Sequence, residues 1–353
     1  MRDLRSSNRA CASLLLTSSL REEENETICS FLSMDSPNKE SRLMPHTTTP
    51  LDEFSVHVLK NEASPHGVLK LTLQFEVGRL HGLSHTPQAG QFLMLDVQDD
   101  AGFRFRRPYS LLTWNPETQI GEILYKVVGE GSQCLANWQV GQKSVALSSL
   151  GNAFPDVSPS STLLIAGGVG LAPLLFWAEQ GRLRGWQDAD MPTLVYGVRT
   201  HAEADFVSET LQRIIPSEKL ILCTDDGSHG WHGHAVHWLE HQDVARLQHF
   251  KQAFVCGPTP MMAGVVNFAQ NNLSSMKVYV SLENHMPCGT GACFGCVVGA
   301  VSPHPPMKVC EAGPVLEASL LAWTPSGLKS GDFESCQALY PSLEVEEEGH
   351  SHA

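Results

Sequence analysis

The sequence predicts an α+β multi-domain protein, with an antiparallel β-barrel, then a parallel-sheet α/β domain, then a small cysteine-bearing module. Three observations carry this. From Phe54 to Val145 the apolar residues fall in short alternating runs with Gly and Pro between them. From Thr162 onward, apolar strands end in small or polar residues and alternate with helical stretches. After Val280 the pattern gives way to a glycine-rich stretch that holds Cys288, Cys293 and Cys296, with Cys310 beyond it. The divisions expected are 1–50 (a disordered or non-native extension), 51–155 (barrel), 158–275 (α/β domain), 280–318 (cysteine module) and 319–353 (acidic tail).

In the barrel, Phe54–Leu59 and Val68–Phe75 alternate apolar with polar residues, and Gln91–Val97 and Glu122–Val128 follow. Several short strands at this spacing close most simply into a small antiparallel barrel. The α/β region opens with Thr162–Ala166, an apolar strand leading into Gly167-Gly-Val-Gly170 and the helical Leu171–Trp177. Thr193–Gly197, Lys219–Thr224 and Gln252–Gly257 are further strands of the same kind. The first 45 or so residues, rich in Ser, Asn, Glu and Arg, hold too little apolar surface to build a core.

Composition excludes some classes. A net charge of −14 leaves no basic face for nucleic acid. No apolar run approaches the roughly 20 residues of a membrane span. Ten cysteines could suggest a secreted disulfide framework, but four share one stretch and the others are scattered singly, several in apolar segments. That distribution fits a metal site in a reducing compartment, the cytoplasm.

The spacing Cys288-x4-Cys293-x2-Cys296, with Cys310 at a distance, is the plant-type ferredoxin arrangement for a [2Fe-2S] cluster. Iron takes soft thiolate ligands, and four complete the shell of two bridged irons. Gly289, Gly291 and Gly295 can adopt positive φ and turn amide N–H groups toward sulfur. Zinc is the competing reading, yet it favours paired Cys-x2-Cys elements and only Cys293 and Cys296 form one.

Arg107-Pro-Tyr-Ser110, expected after the barrel strands, can hold a flavin. Arginine offers a fork of donors to phosphate, Tyr109 a flat face and Ser110 a hydroxyl. Gly129-Glu-Gly-Ser132 supplies backbone able to approach a pyrophosphate. Each alone also reads as a turn. Gly167-Gly-Val-Gly170 at a strand end suits a dinucleotide, though Pro173 stands where the full fingerprint places Gly or Ala. Cys256-Gly-Pro258 sets a small thiol at another strand end, where a buried cysteine before a turn is the bland alternative.

As a set, Arg107-Pro-Tyr-Ser110, Gly167-Gly-Val-Gly170 with Pro173, and Cys256-Gly-Pro258 resemble the ferredoxin–NADP reductase superfamily. Ser281–Val298 with its three cysteines, Cys310-Glu-Ala-Gly-Pro-Val315 and Thr224-Asp-Asp-Gly-Ser228 are similar to the electron-transfer subunit family of dihydroorotate dehydrogenase B. The resemblance runs from about Phe54 to about Leu316. It implies FAD on Arg107, Pro108, Tyr109 and Ser110, with Leu124, Tyr125, Lys126, Gly131 and Ser132 lining the rest of the site. It implies NAD(H) at Gly167, Gly168, Gly170, Pro173, Asp226, Gly257 and Pro258, and a partner subunit carrying FMN and the substrate site. Ser132 replaces the family's usual Thr, and Pro287 stands where a small residue is usual.

The function expected is electron transfer between NAD(H), FAD and a [2Fe-2S] cluster, on to the FMN subunit that oxidises dihydroorotate to orotate. Cys256 is the residue expected to shape hydride transfer. A related subunit of a hydrogenase, sulfide dehydrogenase or transhydrogenase-type complex is the sibling alternative, and a non-enzymatic redox-sensing module the alternative of another class. Arg199 is the single basic residue placed to read a 2′-phosphate, which favours NADH.

Overall fold

A computed structural model describes residues 52–64, 66–76, 86–98, 102–324 and 327–329. The expected extension 1–50 and the acidic end of the tail lie outside the described residues, as do Cys11, Cys29 and Cys336.

Six strands close the barrel: β1 (Asp52–Ala63), β2 (Val68–Phe75), β3 (Phe92–Gln98), β4 (Arg104–Asn115), β5 (Ile120–Lys126) and β6 (Lys143–Leu150), in the order β1-β2-β5-β4-β3-β6. Alternation puts Val56, Val58, Leu71, Leu73, Leu95, Val97 and Ile123 inside, where all are buried. A short helix, α1 (Glu130–Ala136), lies between β5 and β6. One expectation is corrected here: Arg107–Ser110 does not follow the barrel strands but lies within β4, paired to β3 from Phe92↔Ser110 to Gln98↔Arg104. Three arginines and a proline in its first half break the apolar alternation that marks the other strands. Pro108 is tolerated because β5 has diverged there, so no ladder on that side asks for its N–H.

The α/β domain contains β7 (Thr162–Gly167), α2 (Leu171–Leu183), β8 (Thr193–Val198), α3 (His201–Asp205), α4 (Ser208–Ile214), β9 (Leu220–Thr224), β10 (Trp231–His232), α5 (Ala235–Glu240), α6 (Val244–Leu247), β11 (Gln252–Cys256), α7 (Thr259–Asn272) and β12 (Lys277–Ser281). β7 and β11 are buried along their whole length, as befits parallel strands covered on both faces. The sheet order is β10-β9-β8-β7-β11-β12-β15, parallel except for the last strand. The order therefore reverses at β7/β11, the place where such sheets bind ligands beyond their strand ends.

The cysteine segment follows: β13 (Val297–Val298), β14 (Met307–Lys308), α8 (Val309–Ala312) and β15 (Val315–Glu317). β15 pairs antiparallel with β12, so the segment leaves the sheet and rejoins it. The tail expected from 319 begins later than that. Leu321 is buried, and a hairpin of β16 (Trp323–Thr324) and β17 (Gly327–Leu328) packs Trp323 and Leu328 on the same core.

Candidate functional site

The β4–β5 ladder runs only from Asn115↔Ile120 to Leu111↔Ile123. Past that point the two strands splay, and a cavity of about 340 Å³ opens between Arg107–Ser110 on one side and Leu124–Lys126 on the other. Gly131 and Ser132 from α1, Pro173 from α2, Cys256 from β11 and Ser281 from β12 also line it, so barrel and sheet share the cavity. All nine residues expected for FAD meet here.

Local contacts explain their placement. The Arg107 guanidinium lies over the Phe105 ring at 4.6 Å and donates to the Arg106 carbonyl at 3.0 Å. A Cβ on Gly131 would fall 2.8 Å from Phe105 and 2.9 Å from Arg107 Nε, so only glycine lets α1 press on that pair. Tyr109 and Tyr125 meet edge to face at 6.0 Å. Burial pushes the Tyr109 hydroxyl up to about 12, against the opposing pull of Arg107, so it is neutral at physiological pH. Tyr125 donates its hydroxyl to Asn61 Oδ1 at 2.9 Å, and Asn61 Nδ2 in turn donates to the Leu135 carbonyl. Ser132 Oγ accepts from the N–H groups of Val128 and Gly129 and donates to the Gly129 carbonyl. Its hydroxyl thus ties the loop.

On the sheet side, Cys256 is in register with Ala166 across β11 and β7. The two strand-end turns touch: a Cβ on Gly170 would lie 2.6 Å from Gly257 N, one on Gly167 2.8 Å from Pro258 Cδ, and one on Gly257 2.9 Å from Gly167 N. Gly168 takes φ +54 with open space where its Cβ would be. Burial, reinforced by the charge of Glu283, raises the Cys256 thiol far above its usual range despite a hydrogen bond with Ser281. It stays a neutral thiol. Asp226 stands apart from the cavity, fully exposed, at the paired ends of β8 and β9, where its N–H donates to the Arg199 carbonyl. Bonds from the Ser228 hydroxyl and N–H hold its carboxyl below the usual range.

The four module cysteines form two pairs. Cys288 hydrogen-bonds with Cys293, and Cys296 and Cys310 Sγ lie 3.3 Å apart. Each sulfur accepts a backbone N–H: Cys288 from Thr290 and Cys293 from Gly295, both at 3.4 Å, Cys296 from Cys310 at 3.4 Å, and Cys310 from Gly291 at 3.2 Å, with further N–H groups of Cys293 on Cys288 and of Val309 on Cys296. Two thiolates per iron and an N–H to each sulfur fit a [2Fe-2S] cluster. Burial opposes ionisation of Cys288, but the Thr290 and Cys293 hydrogen bonds outweigh it and hold the thiol at about 6. The shared Cys296–Cys310 hydrogen bond brings Cys296 to about 6 and, with burial, raises Cys310. Gly289 and Gly291 take positive φ as expected. Gly295 does not, which corrects the third expectation: Phe294 takes the left-handed turn at φ +56, and Gly295 is small because a Cβ would lie 2.9 Å from Pro287 Cδ.

Sequence reasoning missed Asn61, Phe92, Glu283, Asn284, Met286 and Pro314. Glu283 had a signal, an acidic residue two positions past a strand end and five before a cysteine. Asn61 had none, because its role comes from a contact 64 residues away.

Comparison with known proteins fits this geometry. Residues 283–322 match the iron-sulfur cluster binding domain of dihydroorotate dehydrogenase B, and residues 164–267 the oxidoreductase NAD-binding domain. The dihydroorotate dehydrogenase B (NAD(+)) electron transfer subunit of Bacillus caldolyticus is 36% identical over 237 residues, 65% of this chain and 85% of that protein. That of Shouchella clausii (strain KSM-K16) is 31% identical over 262 residues, covering 70% and 95%. Among solved structures, the NADH-dependent reduced ferredoxin-NADP oxidoreductase superposes with TM-score 0.60 at 24% identity, covering 76% of this chain and 89% of that one, and shows the shared fold.

Proposed function

The chain belongs to the family of dihydroorotate dehydrogenase B electron transfer subunits, and from that premise we propose that it moves electrons between NAD(H) and a partner FMN subunit that oxidises dihydroorotate to orotate in pyrimidine biosynthesis. The observation that carries the reading is the N–H donated to each of four paired cysteine sulfurs, on a segment that also walls a cavity shared by barrel and sheet. FAD, NAD(H) and a [2Fe-2S] cluster are its cofactors.

When bound, FAD exchanges a hydride with the nicotinamide and exchanges single electrons with the cluster. The chain's own residues bind and orient. Arg107 offers its planar fork to a phosphate oxygen, and Gly131 leaves that fork in place. Tyr109, neutral and braced by Tyr125, gives a flat apolar wall for the flavin ring. Gly167, Gly168, Gly170, Gly257 and Pro258 form a thin double turn at the β7/β11 switch point, where a dinucleotide can approach the backbone. Cys256, held neutral by burial, contributes a small uncharged surface against the nicotinamide rather than a base or nucleophile. Asp226, ionised beside Arg199, reads a ribose hydroxyl and disfavours a 2′-phosphate, so NADH is the nucleotide. Cys288, Cys293, Cys296 and Cys310 hold the cluster.

No helix among the described residues is long and apolar enough to cross a membrane. No disulfide joins the seven described cysteines, and the reducing cytoplasm is the compartment in which four cluster thiolates are kept available to iron. The test is dihydroorotate-dependent NAD⁺ reduction by the native chain isolated with its FMN partner. Turnover is expected, and its absence with every co-purifying FMN subunit overturns the pyrimidine assignment.

A further inference from the structure

The flavin cavity belongs largely to the barrel, whereas the cysteine segment is rooted in the sheet through β12 and β15. Two features among the described residues stand out where that segment meets the barrel. A Cβ on Gly289 would fall 2.8 Å from Met94 Cγ on β3 and 3.3 Å from Leu150 Cδ1 on β6. The second contact is a seam of hydrogen bonds from one residue just past the end of β6. Asn152 N–H donates to the Gly313 carbonyl at 2.8 Å, and Nδ2 donates to the Ala312 and Val315 carbonyls at 3.1 and 2.8 Å. Its Oδ1 accepts from Val315 N–H at 3.0 Å.

On the barrel side, glycines let the segment come close. A Cβ on Gly151, at φ +72, would lie 2.6 Å from both the Gly313 carbonyl oxygen and Pro314 Cδ. One on Gly90 would lie 2.8 Å from Val315 Cγ2. The seam starts two residues past Cys310 and is coupled to it, since Gly313 N–H donates to the Val309 carbonyl at 3.0 Å. Pro314, inside the seam, lines the flavin cavity. Only a planar amide supplies two donors and an acceptor in this short reach, so Asn fits and Asp or Ser does not.

We infer that Asn152 is a positioning residue for electron passage: it pins the segment bearing Cys310 to the barrel and so sets where the cluster stands relative to the flavin. The inference rests on the proposed function. Electron transfer between two fixed centres falls steeply with their separation, so a contact that sets the separation sets the rate.

Asn152→Asp tests this with little change of size. It keeps an acceptor for Val315 N–H but turns a carboxylate oxygen toward two carbonyls. Asn152→Ala removes the side-chain bonds without repulsion. The full chain, loaded with FAD and cluster, is mixed anaerobically with NADH while flavin and cluster bleaching are followed as separate phases. Exchange of the Val315 amide hydrogen is measured in the same chains without cofactors. Both variants are expected to bleach flavin at the wild-type rate and to slow the cluster phase severalfold, and Asn152→Ala, which lacks the acceptor, to exchange Val315 faster. Their reduced-cluster resonance and iron content should match wild type. A cluster phase at the wild-type rate in both variants, with Val315 unprotected in Asn152→Ala, overturns the inference. If Asn152→Asp loses its iron, Asn152→Ala decides by the same two outcomes. Wild-type flavin that NADH does not bleach refutes the proposed function instead, and unchanged Val315 exchange then refutes the seam by itself.

Discussion

Replacing Gly131 by alanine separates ligand binding from folding. Gly131 sits in the first turn of α1, and Gly→Ala inside a helix ordinarily favours folding by about 1 kcal/mol. Here the new Cβ would come within 2.8 Å of the Phe105 ring and 2.9 Å of Arg107 Nε, closer than packed carbons allow, so the stacked pair must move. Arg107 then loses its aim at phosphate. A hydrogen bond to a charged group contributes about 1.5–3 kcal/mol, so FAD should bind about 10- to 150-fold more weakly. Titration of the flavin-free chain, read by quenching of flavin fluorescence, measures it. Lumiflavin, which has no phosphate, should bind the variant and wild type alike. Equal loss for both ligands would refute the phosphate role, and unchanged FAD affinity would refute the steric argument.

Other outcomes follow from the same contacts. Cys256→Ala should slow flavin reduction by NADH while FAD affinity stays the same, and an unchanged reduction rate removes Cys256 from the nicotinamide site. Gly295→Ala should lower iron and acid-labile sulfide together, because its Cβ would press on Pro287, which precedes Cys288, and lie 3.5 Å from Cys293 Sγ; full retention of both contradicts the packing argument. Glu179, 6% exposed, accepts from Trp114 N–H at 3.0 Å and Arg213 Nη2 at 2.8 Å. Glu179→Ala should cost about 1–3 kcal/mol in chemical unfolding by stranding that buried N–H. Burial raises the Glu179 carboxyl above 4.5 despite those hydrogen bonds, so its stabilising contribution is complete below pH 4.5 and is lost as pH rises through the raised value. Glu179→Gln should therefore gain melting temperature on wild type as pH rises from 4.5, and a constant difference would contradict the sign.

Elements with clean periodicity were legible in the sequence. The run of β2 alternates, those of β7 and β11 are apolar after their first residue, and each matches its environment in the fold. β4 was not legible, because the residues that serve the cavity are charged or lack an N–H and interrupt the alternation. Site and strand signals compete at the same positions. The cysteine spacing picked out the four sulfurs that the fold brings together as two hydrogen-bonded pairs, since soft ligands at short intervals leave a plain local pattern. The amide donors were only partly legible: Gly291 and Gly295 carry them, yet the turn at 294 falls on Phe rather than Gly. The tail boundary was missed because three residues, Leu321, Trp323 and Leu328, are too few to show a period. Asn61 and Asn152 were invisible, for their partners lie 64 or more residues away and local pattern holds no trace of them.

The central claim is that reducing equivalents from NADH reach a [2Fe-2S] cluster on Cys288, Cys293, Cys296 and Cys310 through FAD in the same chain. Anaerobic NADH added to the purified chain, followed by freezing and electron paramagnetic resonance, tests it most directly. A rhombic signal from a reduced cluster is predicted, with iron and acid-labile sulfide in equal amounts. A silent spectrum, with zinc in place of iron, would contradict it.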